Sequence, residues 1–263
     1  MFAKNKRRQA AFWTLFLSLV LSSTGVVTPV WAGDDHRHGH KGVRVVAPDS
    51  QWRGHTYSEL AGKWWDWAVA EPLDTNAVFD TDGSFCTLNQ RGKVWFLAGT
   101  FGGIAERLCH IPAGKAIFFP ILNGLSFPPE FPVPGDPCEN LDVLVEQIRC
   151  DVNEDLAFLG STPPDLLLEA MVDGERIADP FAYRAQTGPG GYKHIVPENE
   201  IFGTPAGPRF PAVADGYWIL LKPLSPGWHE ISFKATVALF DNFELGANYR
   251  IFVEPRRRHR HRH

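Results

Sequence analysis

The chain has 263 residues, of which 26 are basic and 30 acidic, for a formal net charge of −4. That length suits one large domain with a proper core, and an apolar content of 44% excludes a wholly disordered protein. The acidic excess argues against nucleic acid as a partner of the folded body.

Residues 1–32 read as a secretory signal peptide. Lys4, Lys6, Arg7 and Arg8 precede an apolar run from Ala10 to Leu21, and Val30 and Ala32 suit the −3 and −1 positions of a cleavage site after Ala32. The uninterrupted run is shorter than the ~20 residues of a membrane span, so an uncleaved anchor is the weaker reading. Arg7-Arg8 raises a twin-arginine route, but the following "QAAF" fits that pattern poorly. After cleavage no transmembrane span remains, and the expected location is secreted or periplasmic. Cleavage removes four basic residues and no acidic one, leaving 22 against 30, or about −8.

Residues 33–44, "GDDHRHGHKGVR", are polar and small and read as a disordered tail. A single domain is expected over residues 45–255. It opens with a helix: Thr56 and Glu59 form a T-x-x-E capping box, and Pro72 stops it. Tyr57, Leu60, Ala61, Trp67 and Ala68 all fall within about 60° of Trp64 on a helical wheel. Trp64 and Trp67 therefore belong to the buried stripe. Trp65 sits on its shoulder, where a ring either joins a second core layer or serves as a ligand platform. Glu59, Lys63 and Asp66 occupy the polar side. "DTDGS", residues 80–84, faintly resembles the start of a calcium loop, but the twelfth position is Arg91, so it reads as a turn.

Strand signals dominate after the helix. "KVWFLAG" is a short buried strand. "GTFGG" follows; its three glycines, Gly99, Gly102 and Gly103, with Thr100 between them, allow backbone to approach a ligand, or a tight turn to sit beneath a packed ring. "ERLCHIP" and "AIFFPIL" read as two strands about a turn, with His110 facing away from Cys109. After the proline-rich "FPPEFPVPGDP", a second helix is predicted from Asp136, Pro137 and Glu139, with Leu141, Leu144, Val145, Ile148 and Val152 on its apolar face. "LLEAMV" and "ERIA" form a hairpin about Asp173-Gly174. Residues 186–211 read as long ordered loops. "GYWILLKPL" and "WHEISFKATVAL" suggest another hairpin, in which His229, Ile231, Phe233 and Ala235 share the inward face. "ANYRIFVEP" closes the domain, and residues 256–263, "RRRHRHRH", form a disordered Arg/His tail. The predicted fold is mainly β with two helices: an antiparallel β-sandwich, Ig-like or jelly-roll-like, with the helices packed at an edge.

Cys86, Cys109, Cys138 and Cys150 form an even set in an exported chain and suggest two disulfides. The sequence-local pairing, Cys86–Cys109 and Cys138–Cys150, is favoured. On one straight helix Cys138 and Cys150 would lie about 18 Å apart. Either Cys138 sits in a loop folded back on the helix, or the pairing is crossed.

The segments "AGKWWDWAV", "VWFLAGTFGG", "IPAGKAIFFPILN" and "DGYWILLKPLSPGWHEISF" resemble the hallmark segments of a family of exported bacterial proteins. The resemblance spans most of residues 55–240. It implies export, but no activity is attached to that family, so no functional residue carries over. "DGYWILLKPLSPGWHEISF" is also similar to the closing hairpin of Ig-like modules.

No G-x-S-x-G, H-E-x-x-H, phosphate loop or dinucleotide fingerprint occurs, and no cofactor is implied. Within the body stand His55, His110, His194 and His229. A cluster of His110 with Glu106 or Glu200 would offer an acid and a base. Asp66, Glu106, Glu198 and Glu200 are candidates for a carboxylate pair of the kind that cleaves glycosides. His36, His38, His40, His259, His261 and His263 alternate in the two tails and suit Zn²⁺, Cu²⁺ or Ni²⁺. The leading reading is a non-catalytic binding or structural role at the cell envelope, with glycan the natural ligand and the aromatics, Trp65 among them, the proline-rich loop and the "GTFGG" loop as contact candidates. The alternatives are an extracellular polysaccharide hydrolase or lyase, and metal binding through the tails.

Overall fold

The computed structural model describes residues 44–128, 136–198 and 201–255. Over the described residues the fold is a β-sandwich of ten strands in two five-stranded sheets, with two α-helices. The first sheet has the order β1 (Val94–Phe96), β3 (Ala116–Ser126), β8 (Gly207–Leu221) and β6 (Arg184–Gln186), with β7 (Tyr192–Val196) also pairing with β8. The second has the order β2 (Gly103–Ile111), β10 (Phe243–Val253), β9 (Gly227–Val237), β4 (Leu166–Val172) and β5 (Glu175–Arg176). Among the described residues no helix is long and apolar enough to cross a membrane.

Strand alternation builds the core. Ile117, Phe119 and Ile121 of β3 and Tyr217, Ile219 and Leu221 of β8 face Ile231, Phe233 and Ala235 of β9 and Ile251 and Val253 of β10. Phe119 stacks on Phe233 with ring centroids 4.6 Å apart. The opposite face of the first sheet is apolar too. There Phe118, Ala214, Trp218 and Leu220 meet helix α1 (Tyr57–Ala68). This explains why "AIFFPIL" and "GYWILL" are continuous apolar runs, whereas the β9 strand alternates.

Helix α1 forms as its sequence predicts. Thr56 accepts from the Glu59 backbone N–H, and the Glu59 carboxylate reaches back to the Thr56 N–H, so the capping box is complete. Trp64 donates to the Leu97 carbonyl at 2.9 Å and Trp67 to that of Leu88 at 3.0 Å. Trp65 is buried as well, at 5% exposure, packed edge-on to Trp64. Its N–H has no partner among the described residues.

Several expectations change. Helix α1 lies across the outer face of the first sheet as a further layer, rather than at an edge, whereas the second helix packs on the opposite face of that sheet, where its Leu156 joins the inter-sheet core and its Ile148 and Val152 meet Val213. The sheets are mixed: β1 runs parallel to β3, and β2 parallel to β10. The segments predicted as a hairpin at 217–237 belong to different sheets, because β8 needs cover on both faces and β9 on one. β2 and β3 are likewise split between the sheets. Residues 186–211 hold β7 and the start of β8. Helix α2 spans Leu144–Phe158, later than the Asp136 start. Residues 137–140 instead form a turn, in which Asp136 accepts from the Cys138 N–H. Leu141 and Leu144 are exposed, while Ile148 and Val152 pack on Val213.

Both disulfides take the local pairing. Cys86–Cys109 and Cys138–Cys150 have Cα atoms 5.9 and 5.7 Å apart. The later helix start removes the distance problem, since Cys138 lies in the turn folded back beside α2. Each bridge contributes about 3 kcal/mol on a chain-entropy account.

One inward position on β2 is not apolar. Arg107 is buried and stands across from Tyr249 in the parallel β2–β10 register. Its guanidinium donates to the carbonyls of Val78, Asp80, Ala98 and Gly99, and to the Tyr249 hydroxyl at 2.8 Å. Tyr249 in turn donates to the Ala98 carbonyl at 2.8 Å and accepts from the Ala98 N–H at 3.2 Å. Burial pushes the Tyr249 hydroxyl pKa up, with Arg107 opposing.

The three clustered tryptophans are therefore all core. Replacing Trp64, Trp65 or Trp67 with Ala should each cost on the order of 3–5 kcal/mol in urea denaturation. A loss near 1 kcal/mol at Trp65 alone would place that ring outside the core.

Candidate functional site

The outer face of the second sheet carries the clearest surface feature. On β9, His229 and Ile231 point inward, so Trp228 and Glu230 point outward. Of the seven tryptophans described, six are at most 8% exposed, whereas Trp228 is 48% exposed. The register aligns it with Phe252 of β10, which stands across from His110 of β2. The ring centroids lie 5.0 Å apart for Trp228 and Phe252, and 5.5 Å for His110 and Phe252. The Arg250 guanidinium carbon sits 4.5 Å from the Trp228 ring centroid, a cation–π contact. Polar groups follow along the same face. Asn248 donates to Glu106 at 2.6 Å, and Lys234 bonds Glu244 at 2.6 Å. The Glu244 carboxylate raises the Lys234 pKa and is itself lowered.

A second feature lies on the other side of the sandwich. A cleft of about 470 Å³ opens between α1 and residues 89–96. Lys63, Arg91 and Lys93 stand on its rim, Trp67 and Phe96 line it, and Asp66 faces it. Asp66 is half-exposed, and its Oδ1 lies 2.7 Å from Nδ1 of His194, which is buried. The imidazole is flanked by Phe127 and Tyr192. Burial pushes the Tyr192 hydroxyl pKa up, and that hydroxyl has no hydrogen-bond partner among the described residues.

A third constellation joins Ser225, His229 and Asp173. His229 Nδ1 is 2.7 Å from Asp173 Oδ2, and Nε2 is 2.8 Å from the Ser225 carbonyl and 3.3 Å from its hydroxyl. The resemblance to a nucleophile triad is superficial. The carboxylate and the carbonyl only accept, so both ring nitrogens donate, and the ring cannot take the serine proton. Burial works against the charged ring, but Asp173 and the Ser225 carbonyl outweigh it and raise the imidazole pKa. The group is a structural clasp between the β4–β5 turn and the start of β9.

The sequence candidates fall as follows. Glu106 and His110 both reach the outer face of β2, one in the polar row and the other in the aromatic row. Glu200 and the tail histidines, His36, His38, His40, His259, His261 and His263, lie outside the described residues. Glu198 is exposed. The "GTFGG" loop is packed: the Gly99 carbonyl accepts from Arg107, Thr100 donates to the Gly103 carbonyl at 2.6 Å, and a Cβ on Gly102 would stand 2.8 Å from the Phe243 ring. "DTDGS" is a turn, as expected: Asp80 is buried and accepts from three backbone N–H groups. Asp136, Cys138 and Asp151 cluster, but Cys138 is in a disulfide and offers no thiolate. Trp228 and the Asp66–His194 pair escaped the sequence reading. Trp228 was accessible by strand parity. The pair joins residues 128 positions apart, and no local pattern connects them. In comparisons with protein families, curated proteins and solved structures, nothing matches the chain.

The raised His229 pKa has a definite sign. A group bound more tightly to its proton when folded adds stability below its unfolded pKa of about 6.5 and loses it as pH rises through the folded value. The stability gap between the parent protein and His229→Gln should be widest near pH 6 and narrow towards pH 9. A gap constant across that range in chemical denaturation would contradict a charged ring.

Proposed function

We propose that the protein is exported and acts at the cell envelope as a glycan-binding module, with the outer face of the second sheet as its contact surface. The observation that carries this reading is Trp228. Among the described residues six tryptophans lie in the interior, while this one lies on an open sheet face, beside Phe252 and His110 and under Arg250. An aromatic face backed by polar side chains suits a ligand with apolar C–H faces and hydroxyl edges. The ring covers the sugar face, and Arg250, Asn248 and Glu106 lie within three successive outward-facing rungs of the sheet, counted from Phe252, to meet hydroxyl groups. A large exposed apolar ring set in a polar rim is also what marks an interaction surface in general. The two disulfides suit an oxidising compartment.

Cleavage of a glycan by paired carboxylates has less support. It needs two acids about 5–9.5 Å apart across one site. Among the described residues lining the α1 cleft, Asp66 is the single carboxylate. Metal binding by the tails would be a separate property, since the alternating histidines lie outside the described residues.

Affinity electrophoresis against a panel of soluble polysaccharides, with pulldown on insoluble cell-wall glycans, tests the reading. The parent protein should be retained by at least one of them. Trp228→Ala should abolish that retention while changing stability by no more than about 0.5 kcal/mol, as for a surface substitution. Retention unchanged in Trp228→Ala would remove this face as the binding surface.

A further inference from the structure

The α1 cleft lies on the opposite side of the sandwich from Trp228 and has a different chemistry. The mature chain is acidic, yet three cations converge on this one opening: Lys63 from the helix, and Arg91 and Lys93 from the segment before β1. None of the three side chains has a hydrogen bond or ion pair among the described residues. Lys63 would ordinarily pair with Glu59 one turn earlier, but the Glu59 carboxylate is engaged in the capping box. Cations left unpaired around a concave site raise the local concentration of anions.

Asp66 narrows the ligand class. It faces the same cleft with one oxygen held by His194 and the other without a partner among the described residues. A bare anion gains from the three cations but is repelled by this carboxylate. A ligand with hydroxyl donors beside its acid group satisfies both. The Trp67 and Phe96 rings on the cleft wall supply apolar surface for a sugar ring, and Asn89 and His55 add polar contacts. We propose that this cleft is a second binding site, specific for an acidic sugar of the uronate class. The sugar carboxylate would meet Lys63, Arg91 and Lys93, and a sugar hydroxyl would donate to Asp66. His194 acts here as a positioning residue, because its Nδ1–H holds the carboxylate in the orientation that presents the second oxygen to the cleft.

The test uses the full mature chain and an oligogalacturonate trimer, with a neutral oligosaccharide of equal length and inorganic phosphate as comparisons, read by isothermal titration calorimetry. The acidic trimer should bind and the neutral one should not. The double variant Lys63→Gln, Lys93→Gln should weaken binding roughly tenfold or more, since charge-assisted hydrogen bonds are lost. Asp66→Asn should weaken it too, because the amide is a poorer acceptor. Trp228→Ala should leave it unchanged, which separates this site from the sheet face. These side chains are exposed or half-exposed, and near-UV circular dichroism verifies that the variants fold. Three results would overturn the proposal. No heat with the acidic trimer at millimolar concentration removes the site. Tighter binding in Asp66→Asn, or equal competition by phosphate, reduces it to a general anion site. Loss of binding in Trp228→Ala places the ligand on the other face.

Discussion

A buried guanidinium holds this fold in register. Arg107 is a cation inside the sandwich whose hydrogen-bonding neighbours are four backbone carbonyls and one tyrosine hydroxyl. Burying a charge is costly unless its donors are satisfied, and here the guanidinium fork is saturated. The carbonyls come from residues 78, 80, 98 and 99, at both ends of a connection that otherwise has little regular structure. The bonds thus pin that connection to β2 and, through Tyr249, to β10. The Cys86–Cys109 bridge fastens the same connection to β2 two residues further on.

Both surfaces depend on that anchor. A one-residue slip of β2 against β10 would turn Arg107 to solvent and His110 to the interior, since strand side chains alternate. The register that buries Arg107 is therefore the register that sets His110 beside Phe252 and Trp228. Arg91 and Lys93 lie on the pinned connection, just before β1, so the cleft rim is held against α1 by the same bonds. Trp64, which donates to the Leu97 carbonyl, closes that arrangement from the helix side.

Much of this was legible in the sequence where the signal is local. The capping box at Thr56 and Glu59, the Asp173-Gly174 turn and the inward face of β9 follow from short-range pattern; sequence order favours the two disulfide pairings, but only the later start of α2 brings Cys138 within reach of Cys150. The layer assignment did not follow. The turns after β2 and β8 look like hairpin turns but carry the chain between sheets. Only the two-sided burial of β3 and β8 distinguishes the cases, and a continuous apolar run does not name its neighbours. The site was less legible still. Parity on β9 points Trp228 outward, whereas the more conspicuous tryptophan cluster, Trp65 included, is buried. Arg107 occupies an inward strand position that normally takes an apolar side chain, and its acceptors are carbonyls, which leave no trace in a sequence. Asp66 and His194 meet only once β7 has paired with β8 across from α1.

The anchoring role of Arg107 is measured most directly in Arg107→Met, which keeps much of the side-chain volume but removes every donor. Amide hydrogen exchange across residues 76–111, combined with urea denaturation, gives the result. With the carbonyls orphaned and the Tyr249 hydroxyl left without its donor, stability should fall by roughly 3 kcal/mol or more. Exchange should accelerate together at Leu97, Ala98 and the amides of β2. A variant as stable as the parent, with unchanged exchange through residues 94–111, would contradict the claim that this buried cation holds the register on which both surfaces rest.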